Sequence, residues 1–225
     1  AAESCVLLKN DNKTLPIRKG DKVAVFGRSA FNYYKSGLGS GGLVNTRYVV
    51  SILDALRENK DIKLDEDLLQ IYSEWIEKNP YDEGQGWGNV PWSQKEMPLD
   101  DYILRAAKEN DIALVIIGRT AGEDQDSKNE PGSYLLTTEE EVMIEKVSKT
   151  FERTVVILNV GNIIDMKWVE KHNPSSVLYV WQGGQEGGNG VVDVLIGKVN
   201  PCGKLTDTIA RNIEDYPSTQ NFGDL

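Results

Sequence analysis

The chain has 225 residues, enough for one large α/β domain with a sizeable core and too few for two ordinary domains with a linker. Its 35 acidic residues against 25 basic ones leave a formal charge of -10, which argues against a nucleic-acid surface or an anionic membrane as partner and suits a neutral ligand. No apolar run approaches the ~20 residues of a membrane span, and Cys5 and Cys202 lie far apart without metal-type spacing, so two unpaired thiols in the cytoplasm, with no metal and no cofactor, are the expectation. No signal-like segment opens the chain, which begins at Ala1 and not Met, leaving processing, cloning or excision from a longer protein open.

Val23 to Phe26 is the first of four short apolar runs rich in β-branched residues, followed by Ile112 to Ile117, Val155 to Leu158 and Val177 to Trp181. Each is bounded by Gly or Asn, as buried parallel strands should be. After the first comes Gly37-Leu38-Gly39-Ser40-Gly41-Gly42, which formally matches the glycine loop of dinucleotide folds. Arg28 to Ser36 intervene before it, however, and no acidic residue ends a second strand to hold a ribose, so a loop that lets a ligand approach the backbone, with Ser40 as a hydroxyl contact, fits better.

Tyr48, Ile52, Leu53 and Leu56 share the face of a helix opened by Asn45 or Thr46. The stretch from about 64 to 99 breaks the pattern, with a helix near Leu68 to Ile76 and then a Gly-rich run, and reads as an inserted excursion. Trp75, Trp87 and Trp92 cluster in it, either pinning a long loop to the domain or offering indoles to a sugar ring.

The strand Ile112 to Ile117 ends at Gly118, and the carboxylates Glu123, Asp124, Asp126 and Glu130 follow it. The carboxyl edge of such a sheet is where ligands bind, and a carboxylate there serves as general acid or base; the plainer reading is a solvated acidic loop. Next, a helix containing Val142, Ile144 and Val147 is capped by Thr137 or Thr138, with Glu140 or Glu141 closing a capping box. The lone histidine, His172, sits in a polar turn and reads as a surface residue near a helix end, which makes a Ser-His-Asp triad improbable. Last, Trp181 to Gly188 forms another glycine loop, in which Glu186 reads as an acidic cap, before a helix from about Gly188 to Ile196 that stops at Gly197. Strands alternating with helices predict a three-layer α/β/α sandwich with a mainly parallel sheet, whose edge would gather the glycine loops, the Glu123 loop and Asn159 to Asn162 along one crevice.

Ala2 to Asn10 with Leu15-Pro16, the Gly39-Ser40-Gly41 loop, Gly122-Glu123 with Asp126, Trp181 to Gly188, and Asn200 to Leu205 occur in this order. Together they closely resemble the α/β-sandwich domain of glycoside hydrolase family 3, the β-glucosidase type, over nearly the whole of residues 1–225. The resemblance implies a retaining β-glycosidase acting at non-reducing ends of β-glucosides or related oligosaccharides. In that family a barrel domain, absent from this chain, carries an aspartate nucleophile, and the sandwich lends the acid/base carboxylate and sugar contacts. Glu123 matches the acid/base position and Ser40 the sugar-binding hydroxyl. The two residues after Glu123 depart from the family's usual Gly-Glu-Gly-Tyr-Asp, which leaves Glu130 as runner-up for the acid. The resemblance also implies that this chain alone is an incomplete, inactive fragment. A non-catalytic sugar-binding or scaffolding module and a nucleotide-binding domain are the rival readings.

Overall fold

The structure, a computed structural model, describes residues 1–42, 44–86, 89–123 and 125–221; Trp87 and Asp124 lie outside them. Six strands, β1 (Val6–Asn10), β2 (Lys22–Phe26), β3 (Lys63–Leu64), β4 (Ile112–Arg119), β5 (Thr154–Val160) and β6 (Ser176–Tyr179), form one sheet in the order β1-β6-β5-β4-β2-β3. Neighbours run parallel except at one edge, where β1 lies antiparallel to β6.

Six helices cover the sheet: α1 (Ile52–Glu58), α2 (Glu66–Lys78), α3 (Asp101–Ala107), α4 (Thr138–Thr150), α5 (Lys167–His172) and α6 (Gly187–Leu195). Successive strand residues point to opposite faces, and the core divides accordingly. Val23, Val25, Leu114, Ile116 and Ile157 pack with Ile52 and Leu56 of α1 and Val191 and Leu195 of α6. Ala24, Phe26, Val115, Ile117 and Leu158 pack with Leu68 and Tyr72 of α2, Ile103 of α3, Ile144 and Val147 of α4 and Trp168 of α5. With both faces covered, all eight residues of β4 and all seven of β5 are buried, which is why their central parts, Ile112 to Ile117 and Val155 to Leu158, read as unbroken apolar runs. Fully burying one such aliphatic side chain contributes about 1.5–3 kcal/mol, so these two central strands anchor the fold.

The predicted sandwich with its mainly parallel sheet is therefore observed, with several local corrections. The first helix begins at Ile52, not near residue 46: the Ser51 hydroxyl accepts from the Asp54 N–H at 3.1 Å while the Asp54 carboxylate accepts from the Ser51 N–H at 3.0 Å, a closed capping box. Tyr48 consequently lies outside the helix and is exposed. The stretch from 64 to 78 belongs to the sandwich, because β3 pairs with β2 and α2, capped by Asp65, buries Leu68, Leu69 and Tyr72. Among the described residues from 64 to 99, those from 79 to 86 and 89 to 95 lie outside its strands and helices. His172 is the last residue of α5, yet its imidazole is only 4% exposed and lies 3.2 Å from the Glu141 carboxylate, so it is not a surface side chain. No helix among the described residues is long and apolar enough to cross a membrane.

Candidate active site

The strand order creates a topological switch at β2. Its neighbours are β3 and β4, and the chain leaves β2 for α1 on one face of the sheet but leaves β4 for α4 on the other. Connections that diverge this way open a crevice at the carboxyl ends of the two strands, the usual place for a ligand in an open α/β sheet.

The glycine loop after β2 and the acidic loop after β4 meet there. The Leu38 N–H donates to the Ala121 carbonyl at 2.5 Å, Leu38 forms an isolated bridge with Gly122, and the Ser40 N–H donates to the Glu123 carboxylate at 3.1 Å. Gly39 allows this approach: its φ is +95°, and a Cβ there would stand 2.6 Å from the Glu123 Cβ. Among the described residues the next helix starts only at Ile52, so none has its N-terminus directly after this loop to hold a pyrophosphate. Ser40 and Glu123 are both exposed, and the Ser40 hydroxyl makes no hydrogen bond among the described residues. Asp126 and Glu130 are exposed as well, but Glu130 sits in a second turn, where its carbonyl accepts from the Leu135 N–H at 3.2 Å. The structure thus hydrogen-bonds Ser40 to Glu123 and leaves Glu130 apart.

The root of the acidic loop is built differently. Arg119, the last residue of β4, is fully buried and grips the Glu140 carboxylate through both terminal nitrogens, each at 2.6 Å. Its remaining donors reach the carbonyls of Ser133, Leu135 and Gly118 at 2.9, 3.1 and 2.8 Å, tying the far end of the loop back to the strand. Glu140 also closes the capping box of α4, accepting from the Thr137 N–H at 2.8 Å while the Thr137 hydroxyl accepts from the Glu140 N–H. One carboxylate therefore caps a helix and neutralises a buried guanidinium.

The neighbouring loops lock onto the same edge. Asn159 does not line the crevice as predicted but is wholly buried inside β5; its amide accepts from the Tyr34 N–H at 2.8 Å and donates to the carbonyls of Tyr34 and Trp181 at 3.0 and 2.7 Å. Gln182 donates to the Arg119 carbonyl at 3.2 Å, and Gly183 donates to the Tyr33 hydroxyl at 3.1 Å. Glu186 stands at the N-cap of α6 without a side-chain bond to its amides. Its carboxylate instead accepts from the Tyr48 hydroxyl at 2.6 Å and Asn189 at 2.7 Å, and these bonds hold it below the usual carboxylate range.

Sequence reasoning passed over Arg28, Glu96, Arg119 and the dual role of Glu140. Only Arg119 had a visible signal, since a cation ending a fully apolar strand demands a buried partner. Glu96 is buried and accepts from the N–H groups of Arg28 and Met97, both at 2.8 Å; burial pushes its carboxyl up to about 8. The segment from 79 to 95 is pinned across the acidic loop, with the Thr120 N–H donating to the Trp92 carbonyl at 2.8 Å and Gln125 donating to the Val90 carbonyl. The Lys128 ammonium lies 5.2 Å from the Trp92 ring, and Trp75 packs against the α2 side of the core. These two tryptophans anchor the segment.

A doubly covered, mainly parallel sheet with a glycine loop and an acidic loop meeting at its switch point defines a doubly wound α/β domain. The profile of the glycosyl hydrolase family 3 C-terminal domain matches residues 5–224, and the chain belongs to that family. It is 53% identical over 222 residues to a β-glucosidase of Ruminococcus albus, covering 98% of this chain and 23% of that protein. β-Glucosidase A of Butyrivibrio fibrisolvens is 37% identical, covering 99% of this chain and 29% of its own length. Among solved structures, a β-glucosidase from Paenibacillus barengoltzii superposes with a TM-score of 0.95 at 53% identity, over 99% of this chain and 24% of its own. β-Glucosidase 3B from Thermotoga neapolitana, in complex with glucose, superposes with a TM-score of 0.85 at 33% identity, over 97% and 31%. The chain spans between a quarter and a third of these proteins, or slightly less.

Proposed function

We propose that this domain serves a retaining β-glycosidase acting on β-glucosides at their non-reducing ends, with Glu123 as general acid/base and Ser40 as a hydroxyl contact to the sugar. The observation that carries the reading is the hydrogen bond from the Ser40 N–H to the Glu123 carboxylate across the sheet's switch point, in a chain whose relatives are β-glucosidases. Retaining hydrolysis needs two carboxyl groups about 5–5.5 Å apart. Glu123 supplies one, and an aspartate on a barrel domain outside these 225 residues supplies the other. In the first step the aspartate attacks the anomeric carbon while Glu123 gives its proton to the departing glycosidic oxygen. In the second, Glu123 takes a proton from water, whose oxygen displaces the aspartate from the anomeric carbon. With half of the pair, the chain by itself is expected to bind sugar weakly and turn over little.

The test is Glu123→Ala in the protein that joins this domain to its barrel, assayed on aryl β-glucosides with good and poor leaving groups. The poor substrate should lose about 10²–10⁴-fold, the range of general acid catalysis, and the good one far less. Added azide should restore turnover as a glycosyl azide. Small losses on both substrates, with a large one in Glu130→Ala, would move the role to Glu130.

A further inference from the structure

Away from the Ser40–Glu123 contact, a cavity of about 360 Å³ opens between the turn after β2 and the 79–95 segment. That volume sits at the lower end of small-molecule sites. Arg28, Lys78, Asn79, Asp82, Ser93, Gln94 and Lys95 are among its lining residues.

Arg28 is 2% exposed. Its Nε donates to the Asn32 side-chain oxygen at 2.8 Å and its Nη1 to the Lys95 carbonyl at 3.1 Å, while Nη2 is buried with no partner. The guanidinium is held 5.7 Å from the Trp75 ring. A buried donor left unpaired is rare enough to need an explanation, and the unpartnered Nη2 of a guanidinium can donate to an oxygen of a carboxylate, sulfate or phosphate. Among the described residues the Lys95 ammonium hydrogen-bonds only the neutral Asn79 amide, at 2.8 Å, and it lies 5.9 Å from the same ring. Lys78 forms no ion pair among the described residues.

Three cations thus face one lining carboxylate, Asp82, whose Oδ1 is already engaged by the Gly84 N–H at 2.8 Å. The nearby Glu96 keeps its proton near neutral pH and does not offset Arg28 in full. In a chain of formal charge -10, such a concentration of positive charge runs against the overall field and would draw an anion locally.

We propose that this seam is a binding site for a small oxyanion, held by Arg28 with Lys78 and Lys95, either free or carried on a small polar molecule. The cavity is larger than a lone oxyanion requires, which leaves room for such a pendant group. The proposal stands apart from the glycosidase reading, because its test reads binding and not turnover.

Inorganic phosphate is titrated calorimetrically into the protein at constant ionic strength, with chloride as the balancing salt. Glucose 6-phosphate, run in parallel, separates a sugar-borne oxyanion from a free one, and the two should compete. Saturable binding is expected, weakened at least tenfold in the Lys78→Gln/Lys95→Gln variant, whose exposed positions leave folding intact. Arg28→Lys, which keeps a charge but removes the unpartnered Nη2, should weaken it further. Non-saturating uptake, or equal affinity in the double lysine variant, would mean an adventitious ion only and overturn the proposal even if Arg28→Lys fails to fold.

Discussion

Glu140 and Glu123 serve the same loop from opposite surroundings. At the root, Glu140 is 5% exposed along its side chain, faces Arg119 through two 2.6 Å contacts and caps α4. At the tip, Glu123 is exposed and accepts one backbone N–H from a residue 83 positions away. The difference separates two tasks. A buried carboxylate with both oxygens engaged is fit to hold a structure and unfit to exchange protons with a ligand, whereas an exposed one contributes little to stability and remains free for chemistry. Glu96 is a third case, buried like Glu140 but not gripped by a guanidinium, so burial outweighs its two amide bonds and pushes its carboxyl up to about 8.

Breaking the root should have the largest effect. Arg119→Met leaves the Glu140 carboxylate buried and unpaired, and urea denaturation should show a loss of about 3–5 kcal/mol. A loss below 1 kcal/mol would mean that the loop is held by its backbone contacts and that root and tip do not differ as described.

The middle effect concerns pH. An unfolded Glu96 ionises near 4.5, but the folded one holds its proton to about 8. Between those values the folded state binds more protons, so this group's contribution is complete below about 4.5 and declines as pH rises toward 8, by at most about 1.4 kcal/mol per pH unit. Unfolding free energies of wild type and Glu96→Gln at pH 5 and pH 8 isolate it. The gap between the two proteins should shift in favour of the variant at the higher pH, and a constant gap would place Glu96 with the fully paired carboxylates.

The smallest effect is expected at the tip. Glu123→Gln should change stability by less than about 0.5 kcal/mol, as for an ordinary surface substitution, whatever it does to turnover. A larger change would show that Glu123 helps hold the Gly39–Ser40 loop in place and is not free for catalysis alone.

Much of this was legible without coordinates. The unbroken apolar runs of β4 and β5 follow from burial on two faces, the Thr137–Glu140 box from a four-residue pattern, and the end of α6 from Gly197, whose φ is +74°. Each depends on residues within one turn or one strand. The misjudged places depend on distant partners. Tyr48 fits a helical face by spacing, yet Glu186, 138 residues on, takes its hydroxyl. His172 looks solvated in its polar turn until α4 brings Glu141 against it. The run after Leu64 looks like an excursion because β3 is two residues long and pairs only through its neighbour β2.

The sequence by itself determined that strands and helices alternate, where the central ones begin, and that a glycine loop and an acidic loop each follow a strand. Periodicity, capping and glycine are short-range properties, written in consecutive residues. Only the tertiary structure decided that the loops after β2 and β4 meet at one edge of the sheet, that Ser40 meets Glu123 and not Glu130, and that Arg119 finds Glu140. Those facts follow from strand order, which is chosen by how whole apolar faces pack together and is written in no single stretch of the chain.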